Sequence, residues 1–176
     1  MELKTDRLII SEATYDESTK ISAEIGGDSV DEYLSKLSEN DIAIIFKDQK
    51  AVSDLLTRLS NSIGDGNSEI YGAWADEELI GFIAIVNAES GTPELQIEIS
   101  PKHQNKGYGF EFLNALLKHL FERNNFQYIR YTVLPNNKPS VALVNHIGGM
   151  LQTPKSDAER LLICTYHITK ESMSMK

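Results

Sequence analysis

The chain has 176 residues, 41% of them hydrophobic, which is enough for one domain with a proper core. Its apolar runs, such as Ile42 to Phe46, are far too short to span a bilayer, and a lone cysteine, Cys164, excludes internal disulfides and cysteine-based zinc sites. A formal net charge of −9 argues against nucleic acid as a partner, because that binding rests on neutralising phosphates with Lys and Arg.

No charged-then-apolar leader opens the sequence, so a cytoplasmic location without membrane attachment is expected. Leu3 to Glu12 alternates as a first strand, with Leu8 and Ile10 on one face. Residues 14–25 predict a short helix stopped at Gly26-Gly27. Ser29-Val30-Asp31-Glu32 reads as a capping box, opening a helix to about Leu37 with Tyr33, Leu34 and Leu37 inward. Asp41 to Phe46 is ambiguous, being β-branched yet short. Val52, Leu55, Leu56, Leu59 and Ile63 follow helical spacing, and Gly64-Asp65-Gly66-Asn67 ends that helix. Glu69 to Ala75 and Leu79 to Val86 predict two strands joined by a hairpin-length connection.

Glu94 to Phe121 is the stretch around which the rest is organised. Leu95, Ile97 and Ile99 alternate with Glu94, Gln96 and Glu98, so this is a strand with a polar face, stopped at Ser100-Pro101. From Phe110 the period changes, and Leu113, Leu116, Leu117, Leu120 and Phe121 mark an amphipathic helix. Between them lies Gln104-Asn105-Lys106-Gly107-Tyr108-Gly109. Two glycines at a helix start let the main chain approach a ligand, and the first-turn N–H groups point at it. The helix dipole offers a nearby anion only about 0.3–1 kcal/mol. Each hydrogen bond to a charged acceptor adds about 1.5–3 kcal/mol, so several amides on one diphosphate would make a site. The plainer reading is that the glycines merely let the loop turn. G-x-G-x-x-G fails, since Phe112 stands three residues after Gly109, and no G-x-x-x-x-G-K-[ST] occurs.

Downstream, Tyr128 to Leu134 predicts a strand, Lys138 opens a short helix, Met150-Leu151 a short strand and Leu161 to Ile168 a last one, with residues 170–176 expected to fray. The order implies a mixed, twisted sheet with helices on both faces. His103, His119, His146 and His167 have no metal-ligand spacing, so no metal site is expected.

The string Q-x-x-G-x-G at Gln104 to Gly109, after a strand ending in Ser-Pro and before a long apolar-faced helix, resembles motif A of the GNAT superfamily of acetyl-CoA-dependent N-acetyltransferases. A second resemblance is the N-x-x-S of Asn137 and Ser140, and a third is the opening LKTDRLII; together they cover most of residues 3–168 and are nearest the ribosomal-protein N-acetyltransferase branch. The resemblance implies a single acetyltransferase domain over 1–176. Its fold class would be α/β (α+β), a GNAT-like mixed, mostly antiparallel twisted sheet of six to seven strands, whose central strands splay to hold acetyl-CoA as donor. It implies the diphosphate on the amides of Gln104, Asn105, Lys106, Gly107, Tyr108 and Gly109, and the pantetheine along Ile97, Glu98 and Ile99, with Asn137 and Ser140 touching it. Glu94 becomes the first candidate for proton removal, Glu98 the second, and Ser140 a candidate proton donor to the leaving thiolate. Many relatives carry a tyrosine seven residues after the asparagine and an aromatic after the helix-ending glycine; Val144 and Gly149 stand there. The acid role then falls to Ser140, to Tyr108 or Tyr131, or to water.

The implied activity is transfer of acetyl to a primary amine, a peptide N-terminus or a small amine, by direct attack in a ternary complex. An acidic surface favours a cationic acceptor. Acceptor choice is expected in residues 14–65 and near Gln152 to Arg160, and a homodimer stays open. The rival reading is a non-catalytic acyl-CoA-binding or regulatory module of the same fold.

Overall fold

The computed structural model describes residues 1–25, 29–60 and 67–174. The first expected strand is two: Glu2–Lys4 (β1) and Ile9–Glu12 (β2) pair antiparallel, with Leu3 opposite Ile10. Thr5 ties the intervening turn, its N–H donating to Leu8 O at 2.9 Å and its Oγ1 accepting from Leu8 N at 3.0 Å. The alternation runs through this turn because Leu8 and Ile10 are both buried beyond it.

Tyr15–Ile25 (α1) is opened by reciprocal bonds: Thr14 N donates to Glu17 Oε2 at 2.7 Å and Glu17 N to Thr14 Oγ1 at 3.2 Å. Ser29–Ser35 (α2) stops short of Leu37. Glu39–Lys47 (α3) makes the ambiguous segment helical: Ser38 accepts from Asp41 N, and the Asp41 carboxylate accepts from Ser38 N. That cap outweighs the β-branched run of Ile42, Ile44 and Ile45. Gln49–Ser60 (α4) follows. The stops expected at Gly26-Gly27 and Gly64-Asp65-Gly66, the position of Ile63 and the Ser29 side chain lie outside the described residues.

Ser68–Ala75 (β3) and Glu78–Val86 (β4) form the expected hairpin, with Asp76 and Glu77 at φ 47° and 67° in its two-residue turn. Glu94–Ile99 (β5) leads through a 3-10 turn at Pro101–His103 to Tyr108–Arg123 (α5), then Ile129–Val133 (β6), Lys138–Ile147 (α6) and Met150–Leu151 (β7). Two expectations near the C-terminus fail. Leu161 and Leu162 belong to a helix, Asp157–Leu162 (α7), because Ser156 caps Glu159 N at 3.1 Å; the last strand is only Cys164–Ile168 (β8). Ser156-Asp157-Ala158-Glu159 carries an N-terminal helix signature that the apolar run after it hides. The tail does not fray as a whole: Lys170–Ser174 (α8) is capped reciprocally by Thr169 and Ser172, and Ser172 is buried. It lies against Gly148, which ends α6 at φ 98° and where an added Cβ would be 2.3 Å from Ser172 O.

Among the described residues one sheet of eight strands results, against the six to seven expected, in the order β1-β2-β3-β4-β5-β6-β8-β7. All neighbours are antiparallel except β5 and β6, which the α5 crossover makes parallel. One face of the sheet carries Ile10, Tyr71, Ile83, Ile85, Leu95, Ile129, Tyr131 and Ile168, sealed by the buried stripe Phe112, Leu113, Leu116, Leu117, Leu120 and Phe121 of α5 and by Val144 and Ile147 of α6. Each such leucine contributes about 1.5–3 kcal/mol of transfer free energy, an upper bound because the unfolded chain already hides some of that surface. On the other face Ile21 of α1 packs on Phe82 and Ala84. A satellite cluster of Ile45, Leu162 and Ile163 joins α3 to α7. Among the described residues no helix is long and apolar enough to cross a membrane.

Candidate active site at the parting of two strands

β5 pairs with β4 along its whole length, from Glu94 opposite Val86 to Ile99 opposite Gly81. It pairs with β6 only at Glu94 opposite Arg130 and Leu95 opposite Tyr131. From Gln96 to Ile99 the edge facing β6 therefore has no strand partner, and the sheet opens into a V whose closed end is at Leu95 and Tyr131. Unpaired main chain inside a sheet costs free energy unless something else bonds to it.

The mouth of that V leads to the start of α5. Gly107 is its N-cap, at φ 82°, and no side chain caps the first-turn N–H groups. Asn105 is also at positive φ, 59°. The loop is braced from both sides: Gln104 Nε2 donates to Ile99 O at 2.9 Å, and Arg7 Nη1 donates to the Lys106 carbonyl at 2.8 Å. Tyr108 is half-buried beneath the Arg7 guanidinium, 4.4 Å from its ring centre. At Gly109 an added Cβ would meet Ile99 and Leu143 at 3.7 and 3.8 Å, ordinary contact, so the fold itself does not require glycine there.

The polar face of β5 looks toward α1. Glu94 sits at the closed end, nine-tenths buried, with Arg130 Nη1 3.9 Å from its Oε2. Glu98 lies nearer the mouth and accepts from Ser22 Oγ at 2.8 Å; the next residue but one, Ser100, donates to Glu24 Oε2 at 2.6 Å. These two bonds fasten α1 along the open half of β5. Thr132 of β6, on the same face and one residue past the last β5–β6 pair, has a buried hydroxyl without a hydrogen-bond partner.

On the opposite face burial pushes the Tyr131 phenol up, so it stays protonated, with the Ser140 side chain beside it. Ser140 stands in the first turn of α6, where Asn137 Oδ1 accepts from its N–H at 3.3 Å. Asn137 is thus a helix cap through its Oδ1. Val144, in the position where many relatives have tyrosine, is fully buried, and Gly149 is pressed against it: an added Cβ would be 2.5 Å from Val144 Cγ2. The two departures from the family pattern are one packing arrangement.

The remaining candidates find structural partners. His167 stacks on Tyr128 at 3.7 Å, and burial followed by the neighbouring Arg130 charge pushes its imidazole down. His146 meets Phe110 edge-on at 4.4 Å, and His103 lies 3.6 Å from Glu78. Burial pushes the Cys164 thiol up, as for a packing residue. Arg7 is the site residue that the sequence pattern did not single out; its only signal is its place in LKTDRLII, and its partners lie about a hundred residues away in α5 and the loop before it.

A family model described as an acetyltransferase (GNAT) domain matches residues 7–150. The chain belongs to the GNAT acetyltransferases. Members of this family draw acetyl from acetyl-CoA, so the protein is an acetyl-CoA-dependent acetyltransferase. An uncharacterised N-acetyltransferase, p20, of Bacillus licheniformis is 24% identical over 125 residues, 66% of this chain and 70% of that one. Among solved structures, a ribosomal-protein-serine acetyltransferase of Vibrio cholerae superposes with a TM-score of 0.59 at 20% identity, covering 96% of this chain and 97% of that one. RimL, the ribosomal L7/L12 alpha-N-protein acetyltransferase in complex with coenzyme A, gives 0.63 at 12% identity, covering 98% and 99%. At these identities the superpositions speak for the fold of the acetyltransferase, a mixed, mostly antiparallel sheet between helices.

Proposed function

We propose that the enzyme moves acetyl from acetyl-CoA to a primary amine by direct attack in a ternary complex, with a protein N-terminus as the preferred acceptor. The observation that carries this reading is the unpaired edge of Gln96 to Ile99 running into the uncapped start of α5. A donor held by its diphosphate at Gln104 to Gly109 and laid along Ile97, Glu98 and Ile99 points its thioester at the closed end. Four strand residues span roughly 13 Å. At that end Glu94 faces one side of the V, and the Tyr131–Ser140 pair the other.

The nucleophile must be neutral. An α-amino group, with a pKa near 8, costs about 1 kcal/mol to deprotonate at pH 7, against roughly 4–5 kcal/mol for a lysine-type amine. A carboxylate of ordinary pKa about 4.3 is a weak direct base for either. Glu94, with Arg130 beside it, therefore acts through a water or by holding the cationic acceptor, while Glu98 and Ser22 line its approach. Attack breaks the C–S bond, and Ser140, backed by the protonated Tyr131, supplies a hydrogen bond and proton to the departing thiolate. The preference for a protein N-terminus rests on the lower cost of neutralising an α-amino group.

The test is free-thiol release from acetyl-CoA over peptides with free N-termini, the same peptides blocked, and small amines including polyamines. Release with free but not blocked peptides is expected. Release only with small amines would overturn the protein acceptor. Acetyl-CoA binding with no release across the panel would favour a non-catalytic acyl-CoA-binding module.

A further inference from the structure

Arg7 stands in the turn between β1 and β2, yet almost everything it touches belongs to α5 and the loop before it. Its Nε donates to Glu111 Oε2 at 2.7 Å, Nη2 lies 2.6 Å from the same oxygen, and its main-chain N–H donates to Glu111 Oε1 at 3.0 Å. Nη1 donates to the Lys106 carbonyl, the guanidinium covers the Tyr108 ring, and Nη2 would be 3.3 Å from a Cβ at Gly107.

Glu111 gives this arrangement a purpose. It lies in the first turn of α5, so its carboxylate is drawn to the same helix end as a diphosphate and repels it. Thr5 Oγ1 donates to Oε1 at 2.5 Å, so Thr5 and Arg7 together hold the carboxylate on the hairpin side of the helix. Burial raises the Glu111 carboxyl, but the hydrogen bonds from Thr5 and Arg7 outweigh it and leave it below the usual carboxylate range.

The geometry points to Arg7 as a positioning residue for the acyl donor: it fixes the carbonyl of Lys106 and neutralises Glu111, so that the amides of the loop are free for the diphosphate. This rests on the donor reading of Gln104 to Gly109 above. A planar guanidinium that gives two N–H groups to one carboxylate oxygen and a third to a carbonyl, while stacked on a ring, suits the task in a way that an ammonium does not. It also makes the β1–β2 hairpin a wall of the donor site, with LKTDRLII as its one signal in the sequence.

Titration calorimetry with acetyl-CoA tests the proposal on the full-length protein without an acceptor. Arg7→Ala is expected to weaken binding tenfold or more, with far-UV circular dichroism unchanged. Arg7→Ala combined with Glu111→Gln is expected to bind more tightly than Arg7→Ala alone, which a merely structural loss would not give. A loss under threefold for Arg7→Ala, or a double variant no tighter than the single, overturns the proposal. If Arg7→Ala does not fold, Arg7→Gln, which keeps a donor and part of the stem, is read by the same limits. Gly107→Val serves as the control: if it loses binding while Arg7→Ala keeps it, only the part given to Arg7 fails. Wild-type binding by Gly107→Val would instead remove the donor reading of the loop.

Discussion

The proposed donor side and the proposed acceptor side of this acetyltransferase are built on different terms. The donor side consists of main chain, two glycines and a helix whose six inward residues are sealed in the principal core. The acceptor side rests on short helices, and α3 to α7 are joined by a satellite cluster of three buried residues. Phe46 on α3 remains 70% exposed and Ile42 37%. The contrast teaches that binding of an invariant donor can be delegated to backbone on a rigid element. Recognition of a particular acceptor falls to side chains on elements that are held more lightly and can change without disturbing the sheet.

Four substitutions test that division. The largest effect is expected at Gly107, which is at φ 82°. Gly107→Val forces a β-branched residue into the left-handed region and pushes toward Arg7, so acetyl-CoA affinity should fall a hundredfold or more by calorimetry. Next, Leu162→Ala empties part of the satellite cluster and should cost about 2–5 kcal/mol in chemical denaturation, nearer the lower figure because the cluster is small. Its acetyl-CoA affinity should stay within twofold of wild type while the acceptor KM rises; parallel loss of both would show that the two sides are not separable. Glu94→Gln should lower kcat about tenfold, roughly 1.4 kcal/mol, with donor affinity unchanged. An unaltered kcat would take the residue out of the chemistry. The smallest effect is one of stability: Thr132→Val replaces a buried hydroxyl that has no partner among the described residues and should raise stability by about 1 kcal/mol or less, read as a slightly higher Tm. A fall in Tm would mean that the hydroxyl is satisfied after all.

The contrast also explains what could be read in advance. The hairpin of β3 and β4, the strand of Glu94 to Ile99 and the long helix after it are local patterns, and they stand where periodicity put them. The two elements misread near the C-terminus share one cause. Leu161 and Leu162 were read by hydrophobicity when the polar cap at Ser156 governs them, and Lys170–Ser174 is held by Thr169 and Ser172. Caps act through single hydrogen bonds that a hydrophobic pattern does not register. Arg7 escaped for a different reason, since its meaning lies in Glu111 and Lys106, both distant in sequence.

What the sequence by itself determined is the family and the strand–loop–helix at Glu94 to Phe121, because the glycines, the strand before them and the amphipathic helix after them are contiguous and their geometry follows from short-range sterics. Only the tertiary structure decided where β5 leaves β6, that Tyr131 lies beside Ser140, that Val144 and Gly149 are one packing unit, and that Arg7 meets Glu111 and Lys106. Each of these is a contact between residues far apart in the chain, and such a contact exists only once the sheet has brought them together.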